Sequence, residues 1–439
     1  MTERTASQFW THLHSDRRYL AMLGLGVASG MPYLLVYVTQ SAWLSEAKLP
    51  LETIGLMSWL TFAYKLKFLW APLLDQYDPP LLGRLGRRRG WIITAQAGVA
   101  ASLTGIAFGD PAHALAWTVL FSLALGVVGA TQDIVIDGWR INAVPQEKQA
   151  LMTTFSETGY RIGVFVAGAG ALYIASAWGW KVSYLCMAAM MLPGAAAAIL
   201  APEPEIDRVH AKHRERPGLV RAIWEPIREL VARLGPLAIP ILLLIAGFRM
   251  PGYISNAMAM PLFKSLHYSD ADIATVTKVF GFGVALGGAF LCSYLVPRLG
   301  LMTSLLIGTV AGSASHLSLA WLAAHGGEFW AFALAVSVDS FAYSFASVVL
   351  ITFMSSLANA EFAGSQFALM TSLCAMPGFF LAGLGGFVAE RTGFVWFFTL
   401  TSLIGLPVAA LCYWLWRRHG EDLVRMEKTA EAAGVASPH

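Results

Sequence analysis

Two carboxylic acids, Asp133 and Glu157, lie in stretches otherwise dominated by Leu, Val, Ala and Gly. A charge in such surroundings is costly unless it is paired or wet. Asp133 belongs to the run Thr131-Gln132-Asp133-Ile134-Val135-Ile136-Asp137-Gly138-Trp139-Arg140. On a helix, the i, i+4 and i+7 spacing puts Asp133, Asp137 and Arg140 on one stripe. Glu157 is followed one helical turn later by Arg161, with Tyr160 beside it. A carboxylate's hold on its proton depends on its distance from water and on nearby cations. A group whose pairing changes between two conformations can therefore take a proton on one side and release it on the other. Asp133, Glu157 and Asp137 are the candidates for that work, with Arg161 as the modulating cation. The alternative is a static ion-pair network joining two helices, and it weighs most for Asp137 and Arg140, which lie close to water.

Other polar groups fall at comparable depth in their apolar runs. Tyr64 and Lys67 share a helix face, whereas Lys65 points elsewhere and is free to snorkel toward an interface. Arg249 and Asp339 each fall about halfway along a run, where they could pair, or Arg249 could grip an anion with its planar fork. Tyr33, Tyr37, Gln40, Gln132, Tyr160, Tyr253, Asn256 and Tyr343 add hydroxyls and amides. Together with Lys67, Tyr64, Arg161, Arg249 and Asp339 they suit a polar, partly anionic solute such as a sugar-peptide. His316 stands alone and reads as core packing. Cys186, Cys292, Cys374 and Cys412 lie in apolar runs with no Cys-x-x-Cys spacing, so neither a disulfide framework nor a metal site is expected.

The elements that must position these groups follow from composition. Of 439 residues, 56% are apolar and 13% charged, against about a quarter charged in soluble domains. Apolar runs fall near 19–43, 52–74, 91–109, 114–139, 150–175, 180–200, 237–262, 273–297, 300–324, 328–356, 363–389 and 393–416. Each matches the roughly 20 residues a bilayer span needs. The expectation is an all-α polytopic membrane protein with twelve spans, and a soluble enzyme is excluded. A formal charge of +3 gives no reason to expect a nucleic-acid partner. The first eighteen residues are polar and the next apolar run is too long for a signal-peptide core. Placing both termini in the cytoplasm puts 21 basic residues inside and 4 outside, which sets the orientation by the positive-inside rule.

The chain then divides into a tail (1–18), a six-helix bundle (19–200), a basic cytoplasmic linker (201–236), a second six-helix bundle (237–416) and a tail (417–439). Within the linker, Leu219 to Leu234 spaces its apolar residues at helical intervals, as a helix on the membrane surface or a solvated linker helix would. A shift of 219 residues superposes Met31-Pro32 on Met250-Pro251 and Ile54 on Ile273, which indicates duplication. Parallel six-helix repeats joined by a long basic loop describe the architecture of the major facilitator superfamily, with substrate held between the halves. Proline in the first and seventh spans should bend them. Gly26 with Gly30, and Gly283 with Gly287, suggest close helix packing.

Two stretches carry a family resemblance. The first is Lys67-Phe-Leu-Trp-Ala-Pro-Leu-Leu-Asp75-Gln-Tyr77-Asp-Pro79-Pro80, followed by Gly86-Arg-Arg-Arg-Gly90-Trp91. The second is Thr131 to Arg140, followed by Gly159-Tyr160-Arg161-Ile-Gly163. Together these resemble the AmpG-type muropeptide permeases of the major facilitator superfamily, in detail over the first five spans and in layout beyond. The resemblance implies proton-driven import of anhydromuropeptides across the bacterial inner membrane for peptidoglycan recycling, which in some bacteria feeds β-lactamase induction. It lends transport roles to Lys67, Gln132, Asp133, Asp137, Tyr160 and Arg161, and a cytoplasmic gate role to Asp75, Arg87, Arg88 and Arg89, with Arg140 at the same end. The sequence departs from the pattern at Asn142, where many relatives have an acid, and in a longer gate loop. Residues 417–439 are also too short and charged for the extra helices some relatives have.

The energy source implied is a proton gradient with no bound cofactor, and a monomer is expected. The segment around Gln132 also resembles acetyl-coenzyme A transporters, and related siderophore permeases form a further alternative. A non-transporting receptor on the same body is a rival of another class. Intramembrane proteolysis is excluded, because Tyr77-Asp78 lies in a loop and no Gly-x-Gly-Asp exists.

Overall fold

A computed structural model describes residues 16–79, 82–204 and 218–435. Among these, eleven helices are long and apolar enough to cross a membrane. In chain order with the interrupted second segment they are span 1 (Arg17–Glu46), span 2 (51–76), span 3 (Arg87–Ala107), span 4 (Leu115–Ala143), span 5 (Gln146–Trp178) and span 6 (Trp180–Leu200). After the linker helix (Leu219–Leu234) come span 7 (Ala238–Phe248 and Met250–Ser265), span 8 (Ala271–Leu299), span 9 (Leu301–His325), span 10 (Phe329–Leu357), span 11 (Ala363–Ala382) and span 12 (Gly385–Gly420). The expected twelve runs are therefore all helical, but the second is not one continuous helix. It is a relay of short α and 3₁₀ pieces from Leu51 to Gln76. Glu52, Lys65, Lys67 and Pro72 lie within it, and its pieces lack the uninterrupted apolar length of the others.

Span 1 is also broken, at Met31 just before Pro32 and again at Tyr37, whose backbone is non-helical (φ −111°, ψ −86°). Span 7 breaks at Arg249, with Pro251 in the first turn of its second helix. Both breaks fall where proline cannot donate its backbone hydrogen bond, so the Met-Pro pairs mark matching interruptions. A second correspondence carries no comparable signal in the sequence. Gly86, Gly179 and Gly300 have positive φ (85° to 102°) at the entry to spans 3, 6 and 9, and Gly393 (77°) is the kink inside the Gly385–Gly420 segment from which the straight part of span 12 starts. Gly300 follows Gly86 by 214 residues and Gly393 follows Gly179 by the same interval. Glycine is the residue that adopts this backbone without strain.

Spans 1 and 5 pack backbone to backbone. A Cβ on Gly30 would stand 2.2 Å from the Tyr160 carbonyl, one on Gly159 2.2 Å from that of Leu23, and one on Gly163 2.2 Å from that of Val27. Gly26 and Gly30 thus do what their spacing suggests. Gly283 does not: a Cβ there meets nothing within 4 Å, and Gly287 is in ordinary contact with Phe341. The close approach of span 8 to span 10 is made by Gly288, 2.3 Å from the Phe341 carbonyl. The relevant face is one residue further round the helix.

Spans 2, 4 and 5 form one side of a seam and spans 8, 10 and 11 the other. Span 5 crosses it through its linker-side segment, Gln149–Phe165. The linker helix lies across the end of this seam. Its Ala222, Leu230 and Leu234 are fully buried, while Val220, Trp224 and Val231 face outward. It is neither a plain solvated helix nor one held by a membrane surface alone, because one face is covered by the bundle. Arg208, Lys212, Arg214 and Arg216 of the linker lie outside the described residues.

Candidate substrate and proton-coupling site

The linker end of the seam is sealed by hydrogen bonds from both halves. Asp75, at the end of span 2, accepts from Arg88 at 2.6 Å, and both side chains are fully buried. Its other carboxylate oxygen accepts the backbone N–H of Ser365 in span 11 at 2.6 Å and the Ser365 hydroxyl. Arg87 donates to the Asp75 carbonyl. Arg89 donates to the Ala201 carbonyl at 2.6 Å, tying span 3 to the end of span 6. The carboxylate of Glu203 accepts from the N–H groups of Arg88 (2.8 Å) and Arg89 (3.0 Å) at the start of span 3. Those N–H groups have no partner inside the helix, and the helix dipole favours an anion there. Glu203 carries no sequence signal beyond its charge, since its partners are backbone groups over a hundred positions away.

Arg140 bridges the halves as well. It donates to Thr153 at 2.9 Å and to Ser355 of span 10 at 3.0 Å, with its guanidinium 4.9 Å from the centre of the Phe367 ring. Asn142 donates to the Ala360 carbonyl at 3.0 Å, so the amide at this divergent position forms a cross-seam bond. Gln366 in span 11 donates to the Pro226 carbonyl (3.0 Å) and to Glu229 (2.5 Å) of the linker helix. Gln76 in span 2 donates to the Ala222 carbonyl at 2.8 Å. The linker helix is therefore tied to both halves across the closed end.

Further into the bundle, Asp133 accepts from Ser29 of span 1 at 2.5 Å. Asp137 lies between Lys67 (3.9 Å) and Arg140 (3.5 Å). Asp137 and Arg140 of the expected stripe are therefore in contact, with Lys67 facing Asp137 from span 2. Gln132 is fully buried and donates to the Ala28 carbonyl at 2.8 Å. Tyr64 presses its hydroxyl against Gly129 and that oxygen has no hydrogen-bond partner. Tyr33 stacks edge-on against Tyr64 at 5.1 Å, and Tyr37 is 40% exposed.

Glu157 faces the other half. Ser347 of span 10 donates to it at 3.5 Å, and its carboxylate lies within electrostatic reach of the Arg140 and Arg249 guanidinium groups. Arg249 donates to the same Ser347 hydroxyl and lies 5.8 Å from the Tyr343 ring centre.

Three expected placements are not found. Arg161 makes no ion pair with Glu157 or Asp133 among the described residues, and its Nε is buried without a partner. Packing of Gly159 and Gly163 onto span 1 sets the rotation of span 5, turning Glu157 toward span 10. Arg249 does not pair with Asp339, which instead accepts from Ser315 of span 9 at 2.8 Å. Gln40 does not face the seam but donates to Ser122 of span 4 at 2.5 Å, fully buried. Asn256 is exposed.

Lys65 turns inward rather than snorkelling. Its ammonium lies 5.8 Å from the Tyr253 ring centre and 5.9 Å from that of Phe379, across the seam. Phe62 meets Phe379 edge-on at 5.6 Å. The irregular helix of span 2 brings Lys65 to this face, a rotation that ideal helical spacing does not anticipate. The seam therefore presents cations (Lys65, Lys67, Arg249) interleaved with aromatic faces and hydroxyls, a surface suited to an anionic, partly apolar solute.

A profile of the major facilitator superfamily matches residues 20–383. The chain belongs to the major facilitator superfamily. Its fold matches the proton:xylose symporter XylE bound to 6-bromo-6-deoxy-D-glucose with a TM-score of 0.65 at 14% identity, over 92% of this chain and 95% of that one. The anhydromuropeptide permease of Escherichia coli K12 is 29% identical over 403 residues, 91% of this chain and 80% of the relative. Putative transporter AmpG 4 of Rickettsia felis is 27% identical over 407 residues, 92% of this chain and 98% of the relative. The chain is thus a multi-pass membrane transporter of the superfamily and not an enzyme, similar over about nine-tenths of its length to AmpG-type permeases.

Proposed function

We propose that this transporter imports anhydromuropeptides from the periplasm to the cytoplasm of a bacterium, driven by the proton gradient across the inner membrane. The linker end and both termini are cytoplasmic in this reading, as the distribution of basic residues supports. The observation that carries the coupling is the placement of Glu157. It stands on span 5 yet takes its partners, Ser347 and Arg249, from spans 10 and 7. Rocking the halves apart at the cytoplasmic end must break those contacts. A carboxylate whose cation and hydroxyl neighbours leave holds its proton differently, which is the behaviour that coupling to alternating access requires.

Asp75, Arg88 and Ser365 close the linker end, which in this reading is the cytoplasmic one. Substrate entering from the periplasm would meet Lys65, Lys67 and Arg249 with Tyr33, Tyr253 and Phe379. The kinship with the Escherichia coli anhydromuropeptide permease supports a sugar-peptide cargo, whose carboxylates suit the cations and whose sugar faces suit the rings. Asp133, held by Ser29, and Asp137, held between Lys67 and Arg140, form the reserve of carboxylates on the first-half side.

The test is uptake of labelled anhydromuropeptide into right-side-out membrane vesicles, with and without an imposed proton gradient. Accumulation against a concentration difference should require the gradient and should vanish in Glu157→Gln, with protein level unchanged. Gradient-independent uptake would remove proton coupling. A panel in which anhydromuropeptides neither move nor compete, while acetyl-coenzyme A or a ferric siderophore does, would replace the cargo.

A further inference from the structure

The second half places another pair of ionisable groups away from the contacts of the seam, His316 buried and Asp339 half-buried. His316, midway along span 9, is 3% exposed, and its Nδ1 has no hydrogen-bond partner. Its chain neighbour Ser315 donates to Asp339 of span 10 at 2.8 Å. His316 and Asp339 act on each other electrostatically, and the ring also faces the backbone of Thr401 in span 12. The elements packed around them carry other charges: Glu157 and Arg161 on span 5, Arg249 and Lys264 on span 7, Lys278 and Arg298 on span 8, Glu390 and Arg391 at one end of span 12, and Arg417, Arg418 and His419 at the other. None of these acts on the pair. The two groups are therefore each other's charge environment.

A buried ring nitrogen with no partner is unfavourable in a residue that merely fills space. A proton-binding group, in contrast, needs a site that is not already taken. Asp339 also stands at one end of a polar line. Tyr343 and Ser347 follow it at i+4 and i+8 on the same face of span 10, and Ser347 is the residue that reaches Glu157. The line covers roughly 12 Å along the helix. Beside its middle lies a cavity of about 30 Å³ lined by Arg249, Thr309, Ser313, Tyr343 and Ser347. That volume is enough for one water, and among otherwise apolar walls that include Phe248, Pro251 and Ala346 these polar side chains offer it partners.

We propose that His316 and Asp339 form a second proton-binding site, linked to Glu157 by the polar line of Tyr343, the cavity and Ser347. The proposal rests on the proton-coupled reading given above. One proton makes the pair neutral whichever member holds it. The site lies toward the end of the bundle away from the linker, so it would load from the periplasmic side and pass its proton along span 10 to Glu157. Arg249, which bonds Ser347 and faces Glu157, would oppose passage of a free cation while the seam is closed.

The test uses the full chain reconstituted in liposomes with labelled anhydromuropeptide. Asp339→Asn and His316→Gln should exchange label in counterflow at the wild-type rate, because counterflow needs no net proton movement. Both should lose accumulation under an imposed gradient, falling to the level reached without one. Wild-type accumulation indifferent to the gradient would overturn the proton-coupled reading itself. Wild-type accumulation that is gradient-driven, and equally so in D339N, would overturn only the present proposal. Loss of counterflow together with accumulation would also overturn it, since the pair would then be holding structure or substrate. A measurement needing no substrate completes the test: the infrared difference spectrum of the purified protein between about pH 5 and 8. A carboxyl band in that spectrum should disappear in D339N and move in H316Q, and a spectrum unchanged in both sinks the proposal.

Discussion

At the scale of single residues, three serines carry the junction between the halves. Ser347 meets Glu157 and Arg249, Ser355 meets Arg140, and Ser365 meets Asp75. Each puts a small hydroxyl opposite a charged group, so the halves hold one another by hydrogen bonds that can be exchanged rather than by an apolar plug. The Asp75–Arg88 pair is fully buried at 2.6 Å, and removing the carboxylate withdraws a charged partner from a guanidinium that has no access to water. Asp75→Ala should therefore destabilise the closed linker end by about 3–5 kcal/mol. The shift is read as faster labelling of Ala360→Cys by an aqueous thiol reagent. Arg84→Ala, an exposed arginine in the same loop, should leave the rate unchanged, and equal labelling in both variants would deny the pair a gating role. The charged members of these contacts were legible in the sequence, because a charge in an apolar run announces itself. Their serine partners were not, since a hydroxyl costs so little in a membrane helix that its position carries no signal. Glu203 was hidden for a related reason: it answers backbone N–H groups, which every residue but proline has.

At the scale of elements, helix breaks and glycine contacts decide which side chains face the seam. The Met-Pro interruptions could be read from the sequence because proline's missing N–H has one consequence wherever it falls. The relay of span 2 could not, and with it the inward turn of Lys65 was lost, because a change from α to 3₁₀ rotates every later side chain. Glycine spacing indicates the right face on span 1 and one residue off on span 8, where periodicity specifies a face but not which neighbour approaches. Gly30→Ala would force a Cβ to within 2.2 Å of a carbonyl and should destabilise the protein by about 1–3 kcal/mol. Gly283→Ala, with open space around it, should leave the detergent melting temperature unchanged or slightly raised. Asp16 opens span 1 by accepting the Arg18 backbone N–H at 3.0 Å, and the Arg18 guanidinium reaches on to the Ala143 carbonyl at 2.6 Å. That guanidinium holds the Asp16 carboxyl below the ordinary value of 3.8. A depressed carboxylate contributes stability above its unfolded value and loses it as pH falls through the folded one. Asp16→Ala should accordingly cost about 0.5–2 kcal/mol at neutral pH, and its melting curve should converge on wild type in acid below 3.8. A gap that persists there would assign the effect to packing instead.

At the scale of the whole molecule, hydropathy and the distribution of basic residues were enough for the span count and a proposed orientation, because the bilayer imposes both on any chain that crosses it. Which end of the seam is closed was not legible, since one sequence must serve both the closed and the open arrangement. The structure closes the linker end through spans 2, 4, 5, 10 and 11 and lays the linker helix over it, tied to span 2 by Gln76 and to span 11 by Gln366. If transport proceeds by rocking, these ties must part once per cycle, and a covalent bridge across them must stop it. Asn142 and Ala360, joined by a 3.0 Å hydrogen bond across the seam, are suitable anchors. In a background with Cys186, Cys292, Cys374 and Cys412 replaced by Ala, the pair Asn142→Cys and Ala360→Cys should transport normally when reduced. A short, cleavable bis-thiol reagent should abolish both uphill uptake and counterflow, and cleavage should restore them. Substrate should still bind to the bridged protein, because Lys65, Tyr253 and Phe379 lie further into the bundle than the bridge, on the side away from the linker. Continued counterflow after quantitative bridging would mean that cargo passes without separating the halves here. The closed end would then be a permanent floor, and the route would have to leave the bundle elsewhere.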